Sequence, residues 1–309
     1  MKKLLLVIVI LLIGIFLFLY VQYRNEISIA RQRVLEGSLV LSTEFGEIEY
    51  AVEGEGPAVL LIHGAGGGYD QGMLIGKKAL GDGFKFVSVS RFGYLRSPFI
   101  EESTVENQAA LYAALLDHLG IDQAVILGAS AGGPSALQFA HDYPNRSSAL
   151  VLLSSVSMFM GDEIPMSTKV INTVQKSDFS FWLVLRMFRS QFAEMVGIPR
   201  SLYEELSLED KQYADNMLDF MHPMSPRSPG NIHEAEIRPL SGEDMGKISV
   251  PTIILHAKDD FLVTYDHADF VNKNINNSVL VSFESGGHAL IAETGVINTR
   301  IRDFLENNQ

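Results

Sequence analysis

Cysteine is absent from this chain of 309 residues. Its absence excludes disulfide bonds, thiolate nucleophiles and cysteine-based metal sites, but it does not identify the compartment, because reducing and oxidising spaces both tolerate such a chain. Positive charge is also scarce, since 24 Lys and Arg face 37 Asp and Glu, which gives a formal net charge of −13. A chain this acidic repels nucleic-acid phosphate, so we expect no DNA or RNA partner.

Repeats and nucleotide-binding loops are absent as well. Without an internal repeat or a low-complexity segment, the chain does not fit a solenoid. It contains no G-x-x-x-x-G-K-[ST] sequence, and the glycine-rich stretch His63–Gly68 is followed by Tyr69 where a G-x-G-x-x-G loop needs glycine. We therefore predict neither an organic cofactor nor a metal.

A long hydrophobic run opens the chain. Leu4–Val21 comprises eighteen uncharged residues, which as a helix would be roughly 27 Å long, close to the hydrocarbon thickness of a membrane. We predict a membrane anchor at residues 1–24, followed by a polar stalk at residues 25–37. A buried core helix does not fit, because the run is apolar on every face.

A cleaved signal peptide is the alternative interpretation of this run. Ser28–Ala30 has small residues at the spacing of a cleavage site, but it lies well beyond the apolar run, which is also longer than a signal peptide needs. Lys2 and Lys3 nearly balance the arginines that follow the run, so the charges barely determine the orientation. We expect the domain that follows this run to lie outside the cytoplasm.

Short apolar runs then alternate with helical stretches. Residues 47–52 alternate polar and apolar side chains, which predicts a half-exposed strand in an antiparallel edge hairpin with residues 38–43. Six nearly continuous apolar runs, typical of strands buried on both faces of a parallel sheet, follow at residues 58–62, 84–89, 124–127, 150–153, 252–255 and 279–283. This alternation predicts an α/β domain, formed by residues 38–155 and 247–309.

The clearest helix is predicted at residues 104–119. Thr104 can cap its start, apolar residues recur along one face, and Gly120 ends it.

Residues 156–246 interrupt the alternation, and we interpret them as a helical cap. They are rich in methionine and aromatic residues, namely Met158, Phe159, Met160, Met166, Phe179, Phe181, Trp182, Met187, Phe188, Met195, Met217, Met221 and Met224. These side chains either line an apolar acyl pocket or pack the core of the cap itself.

A nucleophile is predicted in Gly128–Gly132, which reads G-A-S-A-G. A serine on a sharp turn from strand to helix needs small neighbours, and here a predicted strand precedes Ser130 and a helical stretch follows it. A Gly/Ser-rich turn without function is the alternative, because the five-residue pattern is common by itself.

His288 is the candidate base that a serine hydroxyl requires. It lies just after the last predicted strand, at the sheet edge where ligands bind in open α/β sheets. Asp260 is the candidate carboxylate that orients the base, and Asp259 is the alternative. One of these two aspartates also fits a simple solvated turn.

Backbone N–H groups are the candidates for stabilising an oxyanion. The glycines after His63 allow the N–H of Ala65 to turn inward and to pair with the N–H of Ala131, with Gly66 as the alternative to Ala65.

Together these segments resemble the α/β-hydrolase superfamily in their order and spacing. The resemblance covers residues 38–304 and includes His63–Gly64, Ser130, Asp260 and Gly287–His288. It implies an eight-stranded, mostly parallel sheet flanked by helices, in which the catalytic residues follow one another as Ser, Asp and His. The loop at residues 90–97 resembles the superfamily's D-R-x-G-x-G-x-S loop but has serine at position 90 and leucine at position 95.

Within this superfamily, a serine nucleophile implies acyl-type chemistry. We expect a serine esterase that forms an acyl-enzyme on Ser130 and takes an apolar, lipid-like acyl substrate. A carbon–carbon bond hydrolase of the meta-cleavage type, with the same triad, is one alternative. A non-catalytic binding protein with a hydrolase-like fold is another.

Overall fold

Eight strands form one sheet in the computed structural model, which describes residues 2–159, 161 and 166–308. In chain order they are β1 (Leu39–Thr43), β2 (Gly46–Glu53), β3 (Ala58–Ile62), β4 (Lys85–Val89), β5 (Ala124–Ala129), β6 (Ser147–Leu153), β7 (Thr252–Ala257) and β8 (Ser278–Phe283). Across the sheet they run β1-β2-β4-β3-β5-β6-β7-β8, with β1 and β2 antiparallel to their neighbours and the others parallel. The predicted eight-stranded, mostly parallel sheet with an edge hairpin is confirmed.

Helices cover both faces of this sheet. Over the described residues they are α1 (Lys2–Glu36), α2 (Tyr69–Leu80), α3 (Val105–His118), α4 (Gly133–Asp142), α5 (Met166–Val174), α6 (Asp178–Met195), α7 (Arg200–Glu205), α8 (Leu208–Asp219), α9 (Ser228–His233), α10 (Gly242–Met245), α11 (Asp266–Asn274) and α12 (Thr294–Asn307). Short 3₁₀ turns occupy Ser130–Gly132, Pro144–Arg146, Glu234–Glu236 and Ile291–Glu293. One core layer joins α3, α4, α10 and α11 to the sheet, and the other joins α2 and α12 to its opposite face.

The apolar runs become strands because both of their faces are covered. Every residue of β5 and β7 is buried, as expected for central strands of a parallel sheet. Since β5, β6, β7 and β8 are consecutive neighbours, the segments that follow β5, β7 and β8 emerge at the same edge of the sheet. This topology brings distant parts of the chain to one site.

The predicted helix over residues 104–119 is confirmed as α3. The hydroxyl of Thr104 accepts a hydrogen bond from the N–H of Asn107 at 3.3 Å, which caps the first turn. Gly120 follows the last turn with a φ of +64°, a conformation that glycine adopts without strain.

Residues 156–246 contain helices α5 to α10 and no strand among the residues described there. Helices α6 and α8 pack against each other around a separate hydrophobic core. Met245 of α10, by contrast, packs into the core of the sheet domain. The assignment of these residues to a separate cap stays a prediction, and Met1, Met160, residues 162–165 and Gln309 lie outside the described part of the chain.

Helix α1 is continuous from the predicted anchor through the predicted stalk. It is long and apolar enough to cross a membrane, and none of its most apolar window is buried in the protein. Its C-terminal turns differ, because Ile27, Ala30 and Val34 are buried against the body of the protein. Residues 25–36 are therefore a docked helix rather than an extended connection.

Candidate active site

Ser130 lies at the turn between β5 and α4, and its backbone φ is +50°, which is rare for a residue other than glycine. The tight turn depends on its small neighbours. A Cβ on Gly132 would lie 2.5 Å from the carbonyl oxygen of Ile62, and a Cβ on Gly128 would lie 2.6 Å from the Cβ of Ala136. The strained serine is thus presented at the carboxyl end of β5.

An imidazole links this serine to a carboxylate. His288 Nε2 lies 2.8 Å from the Oγ of Ser130, and His288 Nδ1 lies 2.7 Å from the Oδ2 of Asp260. The loop after β8 carries His288, and its backbone N–H donates to the carbonyl of Gly197 at 3.2 Å. The three side chains form one hydrogen-bonded chain suited to proton transfer.

Asp260 is buried and has four hydrogen-bond contacts. Its Oδ1 accepts from the N–H groups of Leu262 and Val263 at 2.9 and 3.0 Å, and its Oδ2 contacts His288 and, at 3.3 Å, His256. Burial by itself would raise the pKa of Asp260, but the hydrogen bonds from His256, His288 and Val263 outweigh it and hold the pKa well below its usual range. The carboxylate is therefore ionised and can stabilise an imidazolium.

The neighbouring carboxylate has a different contact. Asp259 accepts hydrogen bonds from the N–H of Gly286 at 3.3 Å and from the N–H of Gly287 at 2.9 Å. Of the two candidates, Asp260 contacts His288 directly, while Asp259 holds the loop that carries it.

The sequence places His256 only at the end of a strand, yet it contacts the same carboxylate. Its Nε2 faces two acceptors, the Oδ2 of Asp260 at 3.3 Å and the carbonyl of Val263 at 2.8 Å, so Nε2 carries the proton. The signal that could have found it is its position four residues before Asp260, at the end of buried β7.

The turn after β3 passes directly beside the nucleophile. A Cβ on Gly64 would lie 3.0 Å from the Cβ of Ser130 and 3.5 Å from its Oγ. Ala65 lines the same cavity as Ser130. Ala131, the residue that follows Ser130, is buried. The oxyanion role of the N–H groups of Ala65 and Ala131, with Gly66 as the alternative donor, stays a prediction.

His63 supports this turn rather than the chemistry. Its Nε2 accepts from the N–H of Arg91 at 3.1 Å, so its Nδ1 donates to the carbonyl of Gly64 at 2.6 Å. Burial, together with the positive charge of Arg91, holds the pKa of His63 well below its ordinary value. The neutral ring fixes the backbone of Gly64.

A cavity of about 210 Å³ opens beside the Oγ of Ser130. Its apolar lining residues include Ile75, Ala79, Val196, Ile198, Met217, Met221, Leu262, Ala289, Leu290 and Ile297. Two members of the Met-rich set thus reach the cavity, whereas Phe181 and Met224 pack in the core of the helical segment and Met221 contributes to both. Part of the set thus lines the cavity and part packs the core of the helical segment, while the acyl substrate stays a prediction.

The cavity lining carries little free charge. Lys78 is the one lysine or arginine among the described residues that line it, and its Nζ lies 2.8 Å from Glu209 and 3.0 Å from Asp210. Two carboxylates thus offset its charge before any ligand arrives.

Similarity to known proteins agrees with this geometry. A family model described as alpha/beta hydrolase fold matches residues 57–199. The uncharacterized hydrolase YcgS of Bacillus subtilis is 29% identical over 287 residues, which cover 85% of this chain and 96% of that protein. The 2-hydroxy-6-oxo-6-phenylhexa-2,4-dienoate hydrolase of Comamonas testosteroni is 25% identical over 255 residues, covering 78% of this chain and 84% of that protein.

A solved structure is similar over most of the chain. It is an alpha/beta hydrolase fold protein from Nakamurella multipartita, with a TM-score of 0.71 and 25% sequence identity. The alignment covers 87% of this chain and 98% of that one.

Proposed function

This chain belongs to the α/β-hydrolase superfamily, and from that premise we propose that it is a serine hydrolase that cleaves an ester bond through an acyl-enzyme on Ser130. The observation that carries the proposal is the relay in which His288 lies 2.8 Å from the Oγ of Ser130 and 2.7 Å from the Oδ2 of Asp260.

In the proposed reaction, each residue of the relay acts on a defined proton or charge. The Oγ of Ser130 attacks the carbonyl carbon while its proton passes to Nε2 of His288, and Asp260 stabilises the imidazolium. The N–H groups of Ala65 and Ala131 donate to the oxyanion, an effect worth about 3 kcal/mol per donor. His288 returns the proton to the leaving oxygen, an alcohol departs, and water activated by His288 releases the acid and restores the hydroxyl of Ser130.

The cavity favours an uncharged acyl group of modest size. Its volume of about 210 Å³ is below the roughly 300–1,000 Å³ of typical small-molecule pockets. Because two carboxylates already offset the charge of Lys78, a substrate carboxylate would gain little there. An apolar acyl chain fills this lining without leaving a buried charge unpaired.

The relative from Comamonas testosteroni favours a second candidate, because its name describes a hydrolase that acts on a dienoate. The same triad would then assist cleavage of a carbon–carbon bond. Since a dienoate carries a carboxylate, a free cation in the cavity would favour this candidate, and the pairing of Lys78 with two carboxylates argues against it.

Hydrolysis rates distinguish the candidates. The full chain in detergent is tested against p-nitrophenyl esters of two to twelve acyl carbons and against a 2-hydroxy-6-oxo-dienoate, with Ser130→Ala as the matched control. We expect serine-dependent hydrolysis of the esters and little cleavage of the dienoate. Preference for the dienoate would select the second candidate, and inactivity towards both would favour a non-catalytic binding protein.

We further propose that α1 is an uncleaved membrane anchor. Glu26 accepts a hydrogen bond from the indole N–H of Trp182 at 2.6 Å, and Ile27 and Ala30 are buried in the folded protein. Cleavage after Ala30 would remove all three contacts, which supports retention of the segment. Mass spectrometry that identifies the N-terminal peptide of the protein extracted from membranes tests this proposal. A mature chain that begins after Ala30 would contradict it.

For the orientation, we propose that the catalytic domain lies outside the cytoplasm, with Lys2 and Lys3 on the cytoplasmic side. Alkaline phosphatase fused to the C-terminus should then be active. If instead a C-terminal reporter that functions only in the cytoplasm is active, the domain lies inside the cytoplasm and the proposed orientation is wrong.

A further inference from the structure

The C-terminal part of α1 is crossed by α6. Trp182 stacks edge-on against Tyr23 and donates to Glu26, while Arg186, one turn further along α6, donates to Gln22 at 3.0 Å and lies 3.6 Å from Glu26. From Trp182 to Arg186 the chain of α6 advances by a full turn, but the partners of both residues on α1 lie within residues 22–26. Helix α6 therefore runs across α1 at the level of residues 22–26.

This crossing lies at the end of the apolar stretch of α1. The ring of Phe179, at the start of α6, is 6.1 Å from the ring of Phe16 and 6.2 Å from that of Tyr20. Phe16 precedes Val21, the end of the stretch, by five residues, which is roughly 7.5 Å along the helix axis. Contacts of α6 thus reach residues that belong to the candidate span.

The length of the stretch fixes its depth. Leu4–Val21 is roughly 27 Å long as a helix, whereas the hydrocarbon core of a bilayer is about 30 Å thick. Because the apolar stretch is no longer than the hydrocarbon core is thick, Phe16 lies within the hydrocarbon. Phe179, which contacts Phe16, then lies at the edge of the membrane. Tyr20, Tyr23 and Trp182 meet there, and Tyr and Trp are the residue types that membrane–water interfaces favour.

Further along α6, two apolar side chains are exposed. Met187 is 63% exposed and Phe188 is 49% exposed, and the backbone of α6 departs from helical geometry at Phe188. Both follow Arg186, which contacts α1. If no membrane were present, these two adjacent large apolar side chains would be exposed to water.

We propose that α6 is a lipid-contacting surface, which lies on the bilayer where α1 enters it and inserts Met187 and Phe188 among the lipids. The inference rests on the proposed anchoring by α1 and is independent of the proposed chemistry. Because residues 25–36 are docked on the body, the anchor holds the hydrolase in one orientation towards the membrane. With a net charge of −13, the chain suits a zwitterionic surface better than an anionic one.

The absence of cysteine makes the test direct. Single variants Met187→Cys and Phe188→Cys of the full chain are spin-labelled and reconstituted in phosphatidylcholine vesicles, and collisions of the label with oxygen and with a water-soluble nickel complex are compared. Leu11→Cys, in the apolar stretch, is the lipid reference. Val279→Cys on β8, with a side chain 50% exposed, is the matched water reference.

We expect labels at positions 11, 187 and 188 to collide more with oxygen, and the label at 279 to collide more with nickel. If either α6 position behaves like position 279 while position 11 reports lipid, the surface assignment is wrong although the anchor is real. If position 11 also reports water, the anchoring proposal fails and the surface assignment fails with it. Ester hydrolysis by the same vesicles reports separately on the proposed chemistry.

Discussion

Two adjacent aspartates divide the work of holding the imidazole. Asp260 bonds the ring of His288 directly, while Asp259 accepts from the backbone of Gly286 and Gly287 in the loop that carries it. One carboxylate therefore fixes the tautomer of the imidazole, and the other fixes the position of its loop. Exchanging each for an amide separates the two effects.

Asp260→Asn should lower kcat by about 10³–10⁴-fold, because an amide neither stabilises the imidazolium nor fixes the productive tautomer. Asp259→Asn keeps an oxygen that accepts one N–H, so its loss should stay below about 100-fold, the scale of a displaced catalytic group. Steady-state ester hydrolysis measures both. If Asp259→Asn loses more activity than Asp260→Asn, Asp259 is the carboxylate that orients His288, and Asp260 is not.

His222 gives the stability a pH dependence. Its side chain is half-buried beside Phe181, and this burial, which outweighs the nearby charges of Asp219 and Asp178, lowers its pKa to about 4. The unfolded chain, with an ordinary pKa of about 6.5, binds this proton first as the pH falls. Stability should therefore drop between pH 6.5 and 4, by on the order of 3 kcal/mol at most.

Urea unfolding at pH 7, 5.5 and 4 measures this change, with His222→Gln as the control. The variant should lose less stability than the parent chain over this window. Equal losses in the two proteins would show that other groups cause the pH dependence. Asp260 adds to the loss only below about pH 4, because its folded pKa is depressed from a reference of about 3.9.

Local patterns predict some contacts of the site but not others. Ser130 and His288 stand in sequences whose glycines and neighbouring strands mark their role. His256 has only a weak signal, its position four residues before Asp260, and its contact with that carboxylate is seen only in the folded chain. Leu95 stands where the family's loop pattern has glycine and adopts a φ of +52°, so the pattern marks the position but the strained backbone is seen only in the fold.

At the scale of elements, the junction of β3, β5 and α4 depends on close backbone packing. In Gly132→Ala, the new methyl group would meet the carbonyl oxygens of Ile62 and His63 at 2.5 and 2.7 Å, and these backbone atoms have little freedom to move. We expect a loss of about 1–3 kcal/mol in the free energy of unfolding.

Gly295→Ala in α12 is the matched control. No atom lies within 4 Å of the position that its new methyl group would occupy, so the substitution should stabilise the helix by up to about 1 kcal/mol. Urea unfolding of both variants in detergent measures the difference. Equal effects of the two substitutions would contradict the close packing at the junction of β3, β5 and α4.

The elements themselves follow from periodicity, with some differences at their ends. Residues 124–127 predict β5, which continues to Ala129 because its ladder with β6 continues. The stalk is predicted as polar chain, yet it is helical and docked. Ile27, Ala30 and Val34, spaced three and four residues apart, form one helical face that indicates this packing. The polar residues around these few apolar ones obscure the pattern.

At the scale of the molecule, Arg33 joins α1 to the rest of the protein. Its guanidinium donates to the carbonyl of His222 at 2.6 Å and to Asp70 at 3.2 Å, and Asp70 also pairs with the buried guanidinium of Arg227. The docked part of α1 thus ends in a charge network that joins α2 to residues 222–227.

Arg33→Ala should release the docked part of α1. Loss of a charged hydrogen bond costs about 1.5–3 kcal/mol, so amides of residues 25–36 should exchange with deuterium at least about tenfold faster. Exposed Arg24 provides the control, since Arg24→Ala leaves these contacts in place. Unchanged exchange in Arg33→Ala would mean that apolar contacts alone hold the helix.

Covalent labelling of the intact chain tests the central claim most directly, because a fluorophosphonate reacts with a serine only when a base activates it. Mass spectrometry of the labelled protein should find one adduct, on the peptide that contains Ser130, and none in Ser130→Ala. The relay predicts a strong decrease in His288→Ala as well. A folded parent chain that stays unlabelled, or an adduct that persists in Ser130→Ala, would contradict it.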